Sequence, residues 1–151
     1  MKKLYILILI LLSQLGVANA QPVSAFVNFR NQFMTWDNGV ERKIESLIPL
    51  KFKVGRTAIP YIDNTSNFKI YSKGGVQQIN QGFTTDFTPT DNLVAYRNNN
   101  SLFVWENGKS TKLSNYIASY SVGDSVVLFF DNVRSLYKAY YNGEIYEIEN
   151  F

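Results

Sequence analysis

The chain has 151 residues, with 15 Lys and Arg against 12 Asp and Glu, a formal charge of +3, and neither His nor Cys. Those two absences exclude imidazole general-base catalysis, thiolate nucleophiles, disulfides and the soft donor sets of structural zinc. The basic residues are dispersed, Arg42-Lys43 and Lys51/Lys53 being the local concentrations, which excludes the basic stripe of a nucleic-acid binder.

Residues 1–20 read as a cleaved secretory signal peptide. Lys2 and Lys3 form a basic start, Leu4 to Leu12 an apolar run, and Ala18-Asn19-Ala20 a small-x-small cleavage site. The apolar run falls short of the ~20 residues that span a bilayer, so no stable transmembrane anchor is expected after cleavage. Loss of both lysines brings the formal charge down to +1, which says little about partners. Export of a cysteine-free chain points to a bacterial setting: periplasmic, cell-surface or secreted.

From residue 21 to 151 a strand–turn–strand cassette recurs. It is read at Phe26–Trp36, Thr57–Ser72, Leu93–Trp105 and Val126–Tyr141, followed by turns at Asn38-Gly39, Gly74-Gly75, Asn107-Gly108 and Asn142-Gly143. The second glycines stand 36, 33 and 35 residues apart. Asn-Gly is the strongest short-range hairpin signal, since both residues tolerate the positive φ of a type I′ turn. In the first cassette, Val40 to Ile48 carries apolar positions at helical spacing before Pro49. Its place in the repeat favours a strand for the first half, with a short helical turn near Ser46. In the second, Pro60 lacks an N–H donor and suggests an edge position or a bulge. Short runs at Lys51–Val54, Thr85–Thr88 and Tyr120–Val122 precede the last three cassettes and add a fourth strand to each.

Repeats of about 21–48, 51–82, 85–118 and 119–151 follow. Such units cannot bury an apolar face alone and must stack. The expected fold is all-β, with antiparallel blade-like repeats forming a partial or truncated β-propeller; an open or curled repeat sheet is the alternative. Propellers commonly close with four to eight blades, and the first copy lacks a strand. Three arrangements satisfy this count: a truncated longer propeller, an open array completed by a partner or a second copy, and a small closed or curled sheet.

The Gly-Asp or comparable turn before the second strand, the Asp-Asn pairs at 63–64 and 131–132, and the Tyr/Trp-x-x-Gly endings, as in Trp105-Glu106-Asn107-Gly108, carry a resemblance. With them the chain resembles bacterial secreted β-propeller proteins with short aromatic-rich blades, over about Phe26 to Phe151. It lacks the Gly-His and Trp-Asp pair of the WD class, and no narrower family is identified.

Paired carboxylates can hydrolyse glycosides, and Asp63, Asp91, Asp124 and Asp131 near strand ends are the candidates. Asp and Asn also bond to nearby backbone N–H groups and stabilise turns, and the recurrence of Asp63-Asn64 and Asp131-Asn132 favours that role. The sequence thus leads to no catalytic residue, no metal and no cofactor. Trp36, Tyr71, Trp105 and Tyr141, close to the repeated turn, are the ligand-binding candidates, with interblade packing as the competing role. The leading expectation is a non-enzymatic exported β-repeat scaffold for protein–protein interaction or surface assembly, with a protein partner or self-association through open β edges. A carbohydrate-binding module that stacks a glycan on exposed aromatics is the alternative. A carboxylate-dependent glycan hydrolase or lyase comes third.

Overall fold

The computed structural model describes residues 22–150, with side chains to residue 148, and the regular elements there are all β-strands. The first sheet holds β1 (Val23–Val27), β2 (Phe33–Asp37) and β3 (Val40–Glu45). The second holds β4 (Lys51–Phe52), β5 (Ala58–Ile62), β6 (Asn67–Ser72) and β7 (Gly75–Gln81). The third holds β8 (Thr84–Pro89), β9 (Leu93–Asn98), β10 (Ser101–Glu106) and β11 (Lys109–Ser114), and the fourth β12 (Ile117–Val122), β13 (Val126–Asp131), β14 (Leu136–Tyr141) and β15 (Glu144–Asn150). Within each sheet the strands lie side by side in chain order and pair antiparallel. The domain is therefore all-β, four blade-like sheets of three or four strands that do not close into a ring: a partial propeller. The proposed signal peptide at residues 1–20 lies outside the described residues.

The turns that end the third strand position follow from residue type. Asn38-Gly39, Asn107-Gly108 and Asn142-Gly143 have φ of 57 and 76, 51 and 83, and 50 and 84 degrees, the two positive values of a type I′ turn. In the second sheet this turn is Lys73-Gly74, with φ of 49 and 77 degrees, rather than Gly74-Gly75. Gly75 already belongs to β7 and pairs with Ser72. Two adjacent glycines leave the register open by one residue, and the ladder chooses the earlier pair.

Two further expectations change. β3 continues to Glu45 along β2, so its backbone groups are spent on the ladder, and Ser46 and Leu47 form a bend rather than a helical turn. Pro60 sits in β5, between β4 and β6, and not at an edge. The Pro60 carbonyl accepts the Lys53 N–H at 3.1 Å, so its donor-less nitrogen also faces the β4 side, where the strand has already ended at Phe52.

Each hairpin between the third and fourth strand positions carries a register shift at the same place: Phe33/Met34, Phe68/Lys69, Leu102/Phe103 and Tyr137/Lys138. A bulge adds local right-handed twist, so four matched bulges give the sheets a common shape for stacking.

Stacking supplies the core. Val23 and Phe33 of the first sheet pack with Ile59, Tyr61 and Tyr71 of the second. Ala58, Phe68 and Ile70, on the other face of the second, pack with Phe87, Val94, Tyr96 and Trp105 of the third. Leu93, Ala95, Leu102, Val104 and Leu113 of the third meet Val127, Phe129 and Tyr140 of the fourth. Alternate residues of one strand thus serve two seams, which is why consecutive residues such as Ala58-Ile59 and Tyr140-Tyr141 carry bulk.

Candidate functional site

The seams obey a repeat rule that identifies what is unfinished. The Tyr71 hydroxyl donates to Asp37 Oδ2 at 2.6 Å, and Tyr140 to Glu106 Oε2 at 2.8 Å, each spanning 34 residues from one sheet to the one before it. Tyr120 donates to Asp86 Oδ2 at 2.9 Å over the same separation. Burial first, and then the carboxylate acceptor, pushes each of these phenols up to about 12. Between the second and third sheets Ser72 stands in place of a carboxylate, and Trp105 Nε1–H reaches Gln77 Oε1 instead at 2.9 Å. On the rim, Thr57 Oγ1 donates to the Asp91 carbonyl at 3.0 Å and Thr90 Oγ1 to the Asp124 carbonyl at 2.8 Å, again 34 residues apart.

Trp36, Tyr71, Trp105 and Tyr140 each stand two residues before the first residue of the turn, pointing toward the preceding sheet. Tyr71 and Trp105 are 2% and 5% exposed, while Trp36, with no sheet described in front of it, is 52% exposed. Tyr141 is 47% exposed on the opposite, forward face of the last sheet. The four candidate aromatics are therefore not brought together: two fill seams and offer no face to a sugar, and two lie at opposite ends of the array. The buried member of this series in the last sheet is Tyr140, one residue from the position expected.

The forward face of the last sheet shows the complementary deficit. Ile44, Ile79 and Leu113 each pack into the seam ahead of their own sheet, and Ala25 and Ala95 do likewise. Ile148 and Leu128 continue those two series but are 57% and 42% exposed, beside Tyr141 and Tyr146. Sequence periodicity alone does not expose this patch; aligning the four turns and counting outward does.

Three of the four candidate carboxylates, Asp63, Asp91 and Asp131, are occupied elsewhere. Asp63 accepts from Thr65 N and Oγ1 and from Asn67 N and Nδ2, and it pairs with Lys69 Nζ at 2.8 Å. Lys69 also reaches Glu45 of the first sheet at 2.8 Å, and the Tyr61 hydroxyl donates to the same carboxylate at 2.9 Å. Asp131 accepts from Val133 N, Ser114 Oγ and Lys138 Nζ, the last at 2.7 Å. Burial pushes the Asp63 and Asp131 carboxyls up, but the hydrogen bonds from lysine and the neighbouring donors outweigh it and hold both below the ordinary value of 3.8. Asp91 bonds Arg56 at 3.1 Å, and the Asp124 backbone carbonyl takes the Thr90 hydroxyl. Asp63 and Asp131 thus hold the loops that follow β5 and β13, and the four carboxylates lie in three different sheets or their rims rather than in one cleft.

An open groove of about 760 Å³ runs over the turn rim, lined by Asp37, Arg42, Thr57, Lys73, Asp91 and Asn107 among others. Its two carboxylates are those already bonded to Tyr71 and Arg56. Among the described residues no group of three His, Cys, Asp or Glu side chains converges to hold a metal ion. Nor, among them, is any helix long and apolar enough to cross a membrane.

No curated protein matches the chain. Among solved structures, an S. cerevisiae complex of Dbp5 with Nup159, Gle1, IP6 and ADP is similar at 14% identity and a TM-score of 0.45, covering 80% of this chain and 44% of that one. The N-terminal domain of Nup159 gives 14% identity and 0.43, covering 82% and 44%. The computationally designed protein Ika8 gives 11% and 0.46, covering 87% and 47%. The chain spans less than half the length of these structures. The narrower resemblance to bacterial secreted propellers, and the periplasmic, cell-surface or secreted setting, are withdrawn, since the solved structures named above include a yeast protein. The model of a 10-bladed beta propeller domain matches residues 17–151, nearly the whole sequence, and in agreement with the stacked sheets the chain belongs to that family.

Proposed function

We propose that this propeller domain acts as a scaffold for protein–protein interaction and that it binds through its uncovered sheet faces rather than through strand edges or a pocket. The observation that carries the reading is the forward face of the last sheet, where Leu128, Tyr141, Tyr146 and Ile148 are exposed at or beside positions that other sheets bury against a neighbour. These four side chains are about half exposed, so a partner that covers them fully returns roughly half the 1.5–3 kcal/mol of a complete burial, about 1 kcal/mol each. In the rim groove, by contrast, both carboxylates are already bonded, Asp37 to Tyr71 and Asp91 to Arg56.

A photo-crosslinking side chain placed at Ile148, with the same group at Lys109, exposed at the start of β11, as control, tests the reading in cells that make the chain. Protein adducts are expected at 148 and not at 109. A folded protein that gives no adduct at 148, or equal yields at both positions, would refute it.

A further inference from the structure

Resting on that reading, we infer that the partner of the last sheet's forward face is the backward face of the first sheet in a second copy of this chain, giving head-to-tail association.

The geometry for this contact already occurs three times in the molecule. Each internal seam joins a forward face, with an apolar residue from the fourth strand position at its outer end, to a backward face carrying an aromatic two residues before the turn. Ile44 faces the seam of Tyr71, Ile79 that of Trp105, and Leu113 that of Tyr140. Ile148 is the next forward residue, and Trp36 is the backward aromatic without a partner sheet among the described residues. Around Trp36, Phe26 continues the series of Tyr61, Tyr96 and Phe129. Those three are fully or almost fully buried in seams, whereas Phe26 is 38% exposed. Beside Trp36 lies a hollow of about 290 Å³, lined by Pro22, Asn38 and Gly39.

The polar part of the seam also has its counterpart. Trp105 Nε1–H finds Gln77, the third residue after the Lys73-Gly74 turn. The third residue after Asn142-Gly143 is Tyr146, whose hydroxyl donates to Glu144 Oε2 at 2.8 Å and so leaves its oxygen to accept. Trp36 Nε1–H of a second copy would meet that oxygen. Continuity of an interface the chain already builds three times favours another copy over an unrelated protein. An unrelated partner would have to reproduce both the apolar positions and the donor.

Because the two faces differ, the association is heterologous, and it propagates until the rotation closes a ring or the supply of copies ends. That property gives a test that folding defects cannot imitate. Trp36→Asp blocks only the backward face and Leu128→Asp only the forward face; both residues are exposed, and circular dichroism checks that each variant keeps its strands. Sedimentation of the purified 17.3 kDa chain from nanomolar to near-millimolar concentration should show a mass that rises with concentration. Each single variant alone should associate at least about tenfold more weakly. Mixed together, the two should form a one-to-one dimer through their intact faces. Tryptophan emission should shift to the blue on association of the parent chain, and Trp36→Phe should remove the shift while Trp105 still emits.

A chain that stays monomeric across the range overturns the inference. So does a single variant that still dimerises by itself, since the contact would then be a two-fold one, or a mixture that fails to pair. A monomeric chain that nevertheless yields adducts with another protein from position 148 leaves the scaffold reading standing and removes only the second copy. Absence of adducts at 148 with self-association intact points to a different contact surface and overturns both.

Discussion

Lys138→Met should be among the most damaging single substitutions in the domain, and Lys69→Met, at the equivalent position two sheets earlier, distinctly milder. Lys138 Nζ and Asp131 Oδ2 are 2.7 Å apart and both side chains are nearly fully buried. Removing the ammonium leaves a buried carboxylate with two remaining donors, Val133 N at 3.0 Å and Ser114 Oγ at 3.1 Å. Breaking one side of such a pair costs about 3–5 kcal/mol, because the orphaned charge stays buried. Asp63, in contrast, keeps four donors from Thr65 and Asn67 when Lys69 is lost, and Glu45 keeps the Tyr61 hydroxyl. Its loss should therefore cost about 2 kcal/mol, nearer to that of hydrogen bonds to charged groups. Urea unfolding followed by circular dichroism measures both, and the double variant Asp131→Asn/Lys138→Met should recover part of the loss. The pH profile gives an independent check. In the parent chain Asp131 is held below 3.8, so its contribution is present above that value and is lost as pH falls through the folded pKa. Without Lys138, burial dominates and raises the carboxyl, so the variant should gain stability, relative to the parent, as pH is lowered from neutrality toward 5. A loss under about 1 kcal/mol for Lys138→Met, or an equal or greater loss for Lys69→Met, would refute the reasoning.

Three further outcomes follow from the seams and turns. Tyr71, Tyr120 and Tyr140 are pushed from 10.0 up to about 12, so the stability they contribute is complete below pH 10 and is lost as pH rises toward 12; phenolate absorbance should show a late-ionising class, smaller after Tyr140→Phe. Lys73 holds φ of 49 degrees where the other three repeats have Asn, so Lys73→Asn should stabilise by about 0.5–1 kcal/mol in thermal or urea unfolding. A Cβ at Gly55 would lie 2.8 Å from both Pro89 Cβ and the Thr90 carbonyl oxygen, across the seam to the third sheet. At Gly123, the same turn position in the fourth sheet, it would meet Val126 Cγ1 at 3.0 Å. Gly55→Ala should therefore cost about 1–3 kcal/mol and more than Gly123→Ala, measured by the same unfolding.

Much of the scaffold was legible because its signals are local. Asn-Gly pairs demand a type I′ turn, the runs between them alternate, and turn chemistry separates a short first strand in the last three units. Two of the slips are of a single residue and share one reason. Gly74-Gly75 offers two registers for a turn, and Tyr140-Tyr141 two aromatics for one position. A one-residue shift in a strand carries a side chain to the other face. Choosing Tyr141 therefore exchanged a seam residue, bonded to Glu106, for one on the forward surface. The buried ion pairs were out of reach for a different reason. Asp63 and Asp131 announce themselves as turn formers, but their lysines stand six and seven residues on, across a bulge whose position only the ladder reveals.

The candidate site was illegible for a deeper reason, since its residues do not differ in kind from those of the core. Trp36 and Trp105 occupy the same repeat position, as do Ile148 and Leu113, and each pair differs in exposure because one member has a sheet beside it and the other, among the described residues, does not. A repeat sequence writes every seam in the same letters, so composition and periodicity cannot mark an end. The mark appears once the sheets are stacked and counted. An aromatic built to donate toward a preceding sheet stands at the front, and an apolar row built to receive one stands at the back. That symmetry makes a shared origin for the two exposed faces more economical than two unrelated binding sites. It is also why the decisive variants are a pair, one at each end, that fail separately and succeed together.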